Sequence, residues 1–317
     1  MLEQAQALPS LQEFLAWPST RVAEFARGKT VVLASGGSSR WYFLEHGNTR
    51  AGYAAAEQFR DYGRRGLQRI VEQASMMLDD GIGTVFAPGF AGGQGERNAE
   101  YVENLKWAYG VLVNEYADQL YAQHKLGVLF RGSWKRLFER LDAPDLSERY
   151  QELEARTKAR SDRWLVWFVA EDSIPESLLP RVTRQLVETG TMPERTGRAE
   201  QYYGRPLAAA DIFISNNKFS VAGMCPPLLQ LTDLYFTVSP SFYMDRSQWR
   251  HILFDYLFAR RNHYRDYTTL DPEAVEDMRA FYRAHRGVTM GVGAYHEASQ
   301  TWRPTPFPVQ RLDEAAD

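Results

Sequence analysis

The chain holds a single cysteine, Cys225, among 317 residues. One thiol cannot close an internal disulfide, which fits a reducing compartment, and with no histidine beside it in sequence it reads as a buried bystander. His46, His124, His251, His263, His285 and His296 show no metal-ligand spacing with one another or with Cys225, which argues against a structural zinc. No apolar run approaches the roughly 18 residues of a membrane helix. The N-terminus MLEQAQALPSLQEF also lacks the basic-then-apolar order of a secretory signal. A formal net charge of −3 gives no field to draw the chain to a nucleic acid or an acidic membrane. These absences point to a cytoplasmic protein with no nucleic-acid partner and no stable membrane insertion.

Motifs are missing as well. There is no G-x-S-x-G elbow, no G-x-x-x-x-G-K-[ST] loop and no G-x-G-x-x-G fingerprint, so a triad hydrolase, a P-loop NTPase and a dinucleotide enzyme are all disfavoured. Asp79 and Asp80 precede Gly81 and read as a solvated helix end before they read as a metal cluster.

Aromatic residues are abundant: 8 Trp, 17 Tyr and 17 Phe make up 13% of the chain, enough to line a deep apolar pocket, although a well-packed core explains the figure equally simply. Short β-branched and aromatic runs recur at VVLAS (31–35), TVFAPGF (84–90), GVLFRG (127–132), WLVWFVA (164–170), DIFIS (211–215) and LYFTV (234–238). Helical apolar spacing separates them, as over 66–78 and 99–123. The alternation predicts an α/β fold, a largely parallel central sheet flanked by helices, with its ligand at the carboxyl ends of the strands. Polar stretches at 142–163 and 188–206 read as surface connections or helical excursions, so residues 1–317 form one domain with C-terminal helices and a tail from about 245. Two amphipathic helices are expected there, over 246–260 and in PEAVEDMRAFYRAH, before a Gly- and Pro-rich end suited to wrap over the body or a partner.

In VVLASGGSSRWYF (31–43) a strand breaks into two glycines and two serines, then an arginine and a tryptophan. Such a turn can aim backbone N–H groups at one point, with the serine hydroxyls, a helix N-terminus and the Arg40 fork around a phosphate. A plain strand-to-helix turn with a serine cap explains the same letters.

The Arg40–Trp41 end of this turn resembles the D-G-N-x-R-W signature of cis-prenyltransferases, which bind an allylic diphosphate there. Aligned on these two residues, Gly36 falls where that family has a metal-binding aspartate. DIFISNNKFSVAG (211–223) takes the place of the family's second-diphosphate segment, with Ser215 for an expected arginine and Lys218 as the remaining base. This implies a chain that does not condense two prenyl units.

A closer resemblance is to the tuberculosinol synthase and kolavelool synthase group of that fold, the kolavelool synthases nearest. It is carried in order by TVFAPGF, Tyr101 in GERNAEYV, EQYYG (200–204), ADIFI, KFS (218–220), PLL (227–229), LYFTVSPSFYM (234–244) and GVGAYHE (291–297). The resemblance implies a cis-prenyltransferase (undecaprenyl diphosphate synthase)-like fold. It also implies an enzyme that ionises a bicyclic C20 allylic diphosphate and lets water capture the cation as a diterpene alcohol. The group's catalytic tyrosines fall on Tyr62 and Tyr101. Diphosphate contacts fall on Gly36, Gly37, Ser38, Ser39, Arg40 and Lys218. Asp233 matches a metal-binding glutamate of the condensing enzymes, and Mg2+ is expected mainly through the diphosphate. Arg64 and Arg65 are either phosphate partners or helix-surface charges. The resemblance also implies a homodimer, with the helix over 246–260 and the tail as its surface. Neither D-x-D-D nor D-D-x-x-D occurs, so ring building belongs to another enzyme. A condensing cis-prenyltransferase and a non-catalytic subunit of the same fold remain the alternatives.

Overall fold

Six short apolar runs pair side by side, all parallel, as one sheet: β1 (Thr30–Leu33), β2 (Thr84–Phe90), β3 (Gly127–Arg131), β4 (Trp164–Val169), β5 (Ile212–Asn216) and β6 (Asp233–Thr237). Their order is β3-β4-β2-β1-β5-β6. The computed structural model describes residues 8–46, 56–90, 99–160, 162–169, 174–194, 197, 209–216, 218–221, 229, 231–260, 270–286, 289–299 and 301–304, and for 56, 90, 99–102, 104 and 174–178 the backbone alone.

Near-continuous apolarity in the strands follows from burial on both faces, because successive side chains point to opposite sides. Val31, Leu33, Leu165, Trp167, Ile212 and Ile214 enter the larger core, while Val32, Val166, Phe168 and Phe213 enter the smaller one. Around the sheet lie α1 (Leu11–Leu15), α2 (Ser19–Ala26), α3 (Ser38–His46), α4 (Ala56–Asp79), α5 (Ala99–Val111), α6 (Glu115–Gln123), α7 (Trp134–Arg140), α8 (Pro144–Thr157), α9 (Ile174–Thr189), α10 (Arg246–Phe254) and α11 (Pro272–Ala284). An antiparallel hairpin follows, β7 (Gly293–His296) with β8 (Thr301–Pro304).

Three details depart from the sequence expectation. The single helix expected over 99–123 is two, α5 and α6, because the Asn114 side chain accepts from Ala117 N at 2.9 Å and starts a new helix. Asp80 is not solvated: it is fully buried, and Arg250 grips it through Nη2 at 2.9 Å and Nε at 3.1 Å, with Trp249 Nε1 at 3.2 Å. Helix α10 turns Trp249, Arg250, Ile252 and Leu253 inward, so its apolar face packs in this chain's own core.

The chain leaves β1 towards β2 on one side and later returns on the other side as β5. At such a reversal the connections after the strands splay apart, leaving a crevice at the carboxyl end of β1. Among the described residues, no helix is long and apolar enough to cross a membrane.

Candidate active site

The crevice is floored by the turn that follows β1. Ala34 N still donates to Ile214 O at 2.8 Å, after which Ser35, Gly36 and Gly37 bend the chain into α3. Gly37 has φ +74°, a conformation open to glycine at little cost. Trp41 N donates to Gly37 O at 2.8 Å, so the N–H groups of residues 37–40 have no acceptor within the helix. They carry the positive end of the α3 dipole towards the crevice.

Gly36, expected among the diphosphate contacts, has its N–H engaged elsewhere. It donates to Ser241 Oγ at 2.9 Å, and Ser241 N donates back to Gly36 O at 3.3 Å, tying the turn to the short 3-10 turn Ser241–Tyr243. Amides available to an anion therefore begin at Gly37.

Beside the turn is a cavity of about 290 Å³ between the ends of β1, β2 and β4 and the side of α4. Its wall is apolar, with Leu67, Ile70, Leu112, Trp167 and Phe242, and its polar end is Ser35, Ser38 and Tyr62. Tyr62 Oη lies 2.7 Å from Ser38 Oγ, so the structure brings a candidate catalytic tyrosine onto the phosphate turn. Neighbouring Tyr42 is committed differently, donating to Asp61 Oδ2 at 2.8 Å. Burial pushes the Asp61 carboxyl up, but hydrogen bonds from Arg65 and Tyr42 outweigh this and hold it below its ordinary value. Ser35 Oγ is buried in the wall with no hydrogen-bond partner among the described residues.

The other expected contacts are spread more widely. Ser39 is exposed on the first turn of α3. Arg40 is half-buried and lines a second cavity, of about 720 Å³, between α3 and the β7-β8 hairpin. Lys218 is exposed just beyond the carboxyl end of β5, on the same edge of the sheet. No described carboxylate pairs with Arg40 or Lys218. Arg65 pairs with Asp61 at 2.8 Å and Arg64 is exposed, so both are helix-surface charges. The Tyr101 backbone falls in the first turn of α5, and its side chain lies outside the described residues.

Asp233 is a correction. It is the first residue of β6 and pairs with Ile212, which puts it at the amino edge of the sheet, the opposite end from the turn. There it faces Arg260 Nη1 at 3.5 Å. The letters T-D-L-Y-F-T already place this aspartate ahead of its strand, and in a parallel sheet that is the wrong end for a ligand.

The turn does not suit a protein-bound Mg2+. Where the resemblance has a carboxylate, a Cβ at Gly36 would overlap Asn216 Oδ1, so that space is filled by a carboxamide. Among the described residues no three His, Cys, Asp or Glu side chains are grouped to hold a metal. The amide N–H groups and the Arg40 guanidinium can only donate, and the oxygens beside them, of Asn216 and the serines, are neutral, so the turn lacks the carboxylate with which a protein holds Mg2+. Asn216 and Ser241 were both visible in quoted blocks of the sequence, but their roles come from residues more than 170 positions away.

No protein-family model matches the chain. Over 300 residues it is 30% identical to the tuberculosinyl adenosine transferase of Mycobacterium tuberculosis (strain CDC 1551 / Oshkosh), covering 92% of this chain and 97% of that one. The chain belongs to that enzyme's family. Also similar to this member of the tuberculosinyl adenosine transferase family is the (+)-kolavelool synthase of Herpetosiphon aurantiacus, 27% identical over 95% of this chain and 98% of the other. Among solved structures, lavandulyl diphosphate synthase from Lavandula x intermedia, in complex with dimethylallyl diphosphate, matches with a TM-score of 0.58 at 13% identity. That match covers 77% of this chain and 99% of the other, and the shared architecture is the cis-prenyltransferase fold.

Proposed function

We propose that the protein is a diterpene synthase that releases diphosphate from a bicyclic C20 allylic diphosphate, of the kolavenyl or halimadienyl type, and adds water to the cation. The observation that carries this reading is the Tyr62–Ser38 hydroxyl pair, 2.7 Å apart, standing between the anion-binding turn and the apolar cavity. The diphosphate binds on the N–H groups of residues 37–40 with Arg40 and Lys218, and the hydrocarbon body lies against Leu67, Ile70, Trp167 and Phe242. The carbon–oxygen bond breaks with its electron pair going to the diphosphate, whose growing charge the preorganised donors stabilise most in the transition state. Water adds to the allylic carbon. Its proton leaves through the Tyr62–Ser38 pair to the released diphosphate, the role of a positioned acid–base relay. The homodimer forms through α11, where Phe281 and Tyr282 are exposed.

A second reading replaces water by a larger nucleophile. It is favoured by the 720 Å³ cavity beside Arg40, on the far side of α3 from Tyr62, and by the name of the M. tuberculosis relative, which transfers its group to adenosine. Both readings are tested by feeding kolavenyl, halimadienyl and geranylgeranyl diphosphates separately, each with and without adenosine, and identifying products by mass spectrometry. A diterpene alcohol supports hydrolysis, and an adenosine conjugate supports transfer. Chain-elongated product with added isopentenyl diphosphate would favour condensation, and release of no diphosphate from any of them would favour a non-catalytic subunit.

A further inference from the structure

The space above Gly36 and Gly37 is filled from the neighbouring strand. Asn216, the last residue of β5, is only 9% exposed, and by alternation along the strand it shares the face of Ile212 and Ile214 in the larger core. A Cβ at Gly36 would overlap its Oδ1, and one at Gly37 would come within 2.9 Å of its Nδ2. Two consecutive residues without side chains are what allow the carboxamide to lie against the turn. Asn216 Nδ2 is buried with no hydrogen-bond partner among the described residues. A polar group withdrawn from water in this way is destabilising unless something completes its bonding. Its surroundings on the turn are donors too, the N–H groups that open α3. Donors that converge in this way form a site which an anion completes.

We propose that Asn216 Nδ2 donates to a phosphate oxygen of the bound diphosphate, making Asn216 a substrate-contacting residue where a carboxylate-held metal would otherwise sit. The proposal rests on the diphosphate reading above. It follows that the anion is held by neutral and cationic donors of the chain itself, so binding persists when divalent metal is removed.

The test is calorimetric titration of inorganic diphosphate, in EDTA, into the full-length chain and the variants Asn216→Ala and Asn216→Asp, with thermal unfolding of each as a check on folding. Wild type is expected to bind, and Asn216→Ala to bind about tenfold or more weakly, the scale of one hydrogen bond to a charged group. Asn216→Asp, which swaps the donor for a like charge, is expected to lose more. Gly36→Ala should push the carboxamide off the turn and weaken binding as well, and in the double variant Gly36→Ala/Asn216→Ala the two losses should not add. Asn216→Ala binding as tightly as wild type overturns this proposal and leaves the diphosphate reading standing. Wild type that binds no diphosphate removes that reading, and this proposal with it.

Discussion

Tyr42 and Tyr62 meet edge to face, with ring centroids 5.4 Å apart, yet only one hydroxyl reaches the cavity's polar end. The other is held by Asp61. Tyr62→Phe keeps the ring packing and removes the relay, so turnover is expected to fall about a hundredfold in steady-state assays, and near-normal turnover would sink the assignment. Asp80 belongs to a different class of residue. Arg250 also donates to Leu15 O, Trp17 O and Ser19 Oγ, so the pair clamps the N-terminal helices to α10. Asp80→Ala leaves a guanidinium buried without its counter-charge and is expected to cost about 3–5 kcal/mol in urea unfolding. The turn is legible because its residues are neighbours in the chain, whereas Tyr62, 24 positions from Ser38, is marked only by the family resemblance. The sequence hides the Asp80–Arg250 pair, since an acidic dipeptide before Gly81 looks like any frayed helix end until a partner 170 positions away is known.

At the scale of elements, five of the six strands were legible because a strand covered on both faces must be apolar throughout; β6, with Leu234 exposed, was legible by its β-branched and aromatic residues, and helical spacing filled the gaps. The break between α5 and α6 was not legible. Leu112 and Val113 stay buried through the turn, so the apolar rhythm continues although the helix does not. Burial periodicity reports which side faces the core, and the cap decides where the backbone stops. Asn114→Ala removes the cap of α6 and is expected to lower stability by about 1 kcal/mol, read as a shift in the urea midpoint at unchanged slope. Asp233 fails for a related reason: similarity of motif gives its neighbours in the chain, but strand direction decides which end of the sheet it reaches.

For the whole molecule, the position of the site follows from topology, since the turn after β1 lies where the strand order reverses. A ligand seated there contacts β1, β5 and α3 at once and binds only the folded chain. Inorganic diphosphate is therefore expected to raise the unfolding temperature, approaching about 2.7 kcal/mol of stabilisation at a hundred times its dissociation constant, and an unchanged transition in differential scanning calorimetry would argue against the site. The bonds between Gly36 and Ser241 close a span of 205 residues. Loop closure of that length makes such contacts late in folding. A chain refolding from denaturant is expected to regain its far-ultraviolet helix signal before it regains activity. The interval between the two would time the closing of the long-range contacts around the turn, the Gly36–Ser241 bonds among them, which makes this enzyme's own catalysis a clock for the later stages of its assembly.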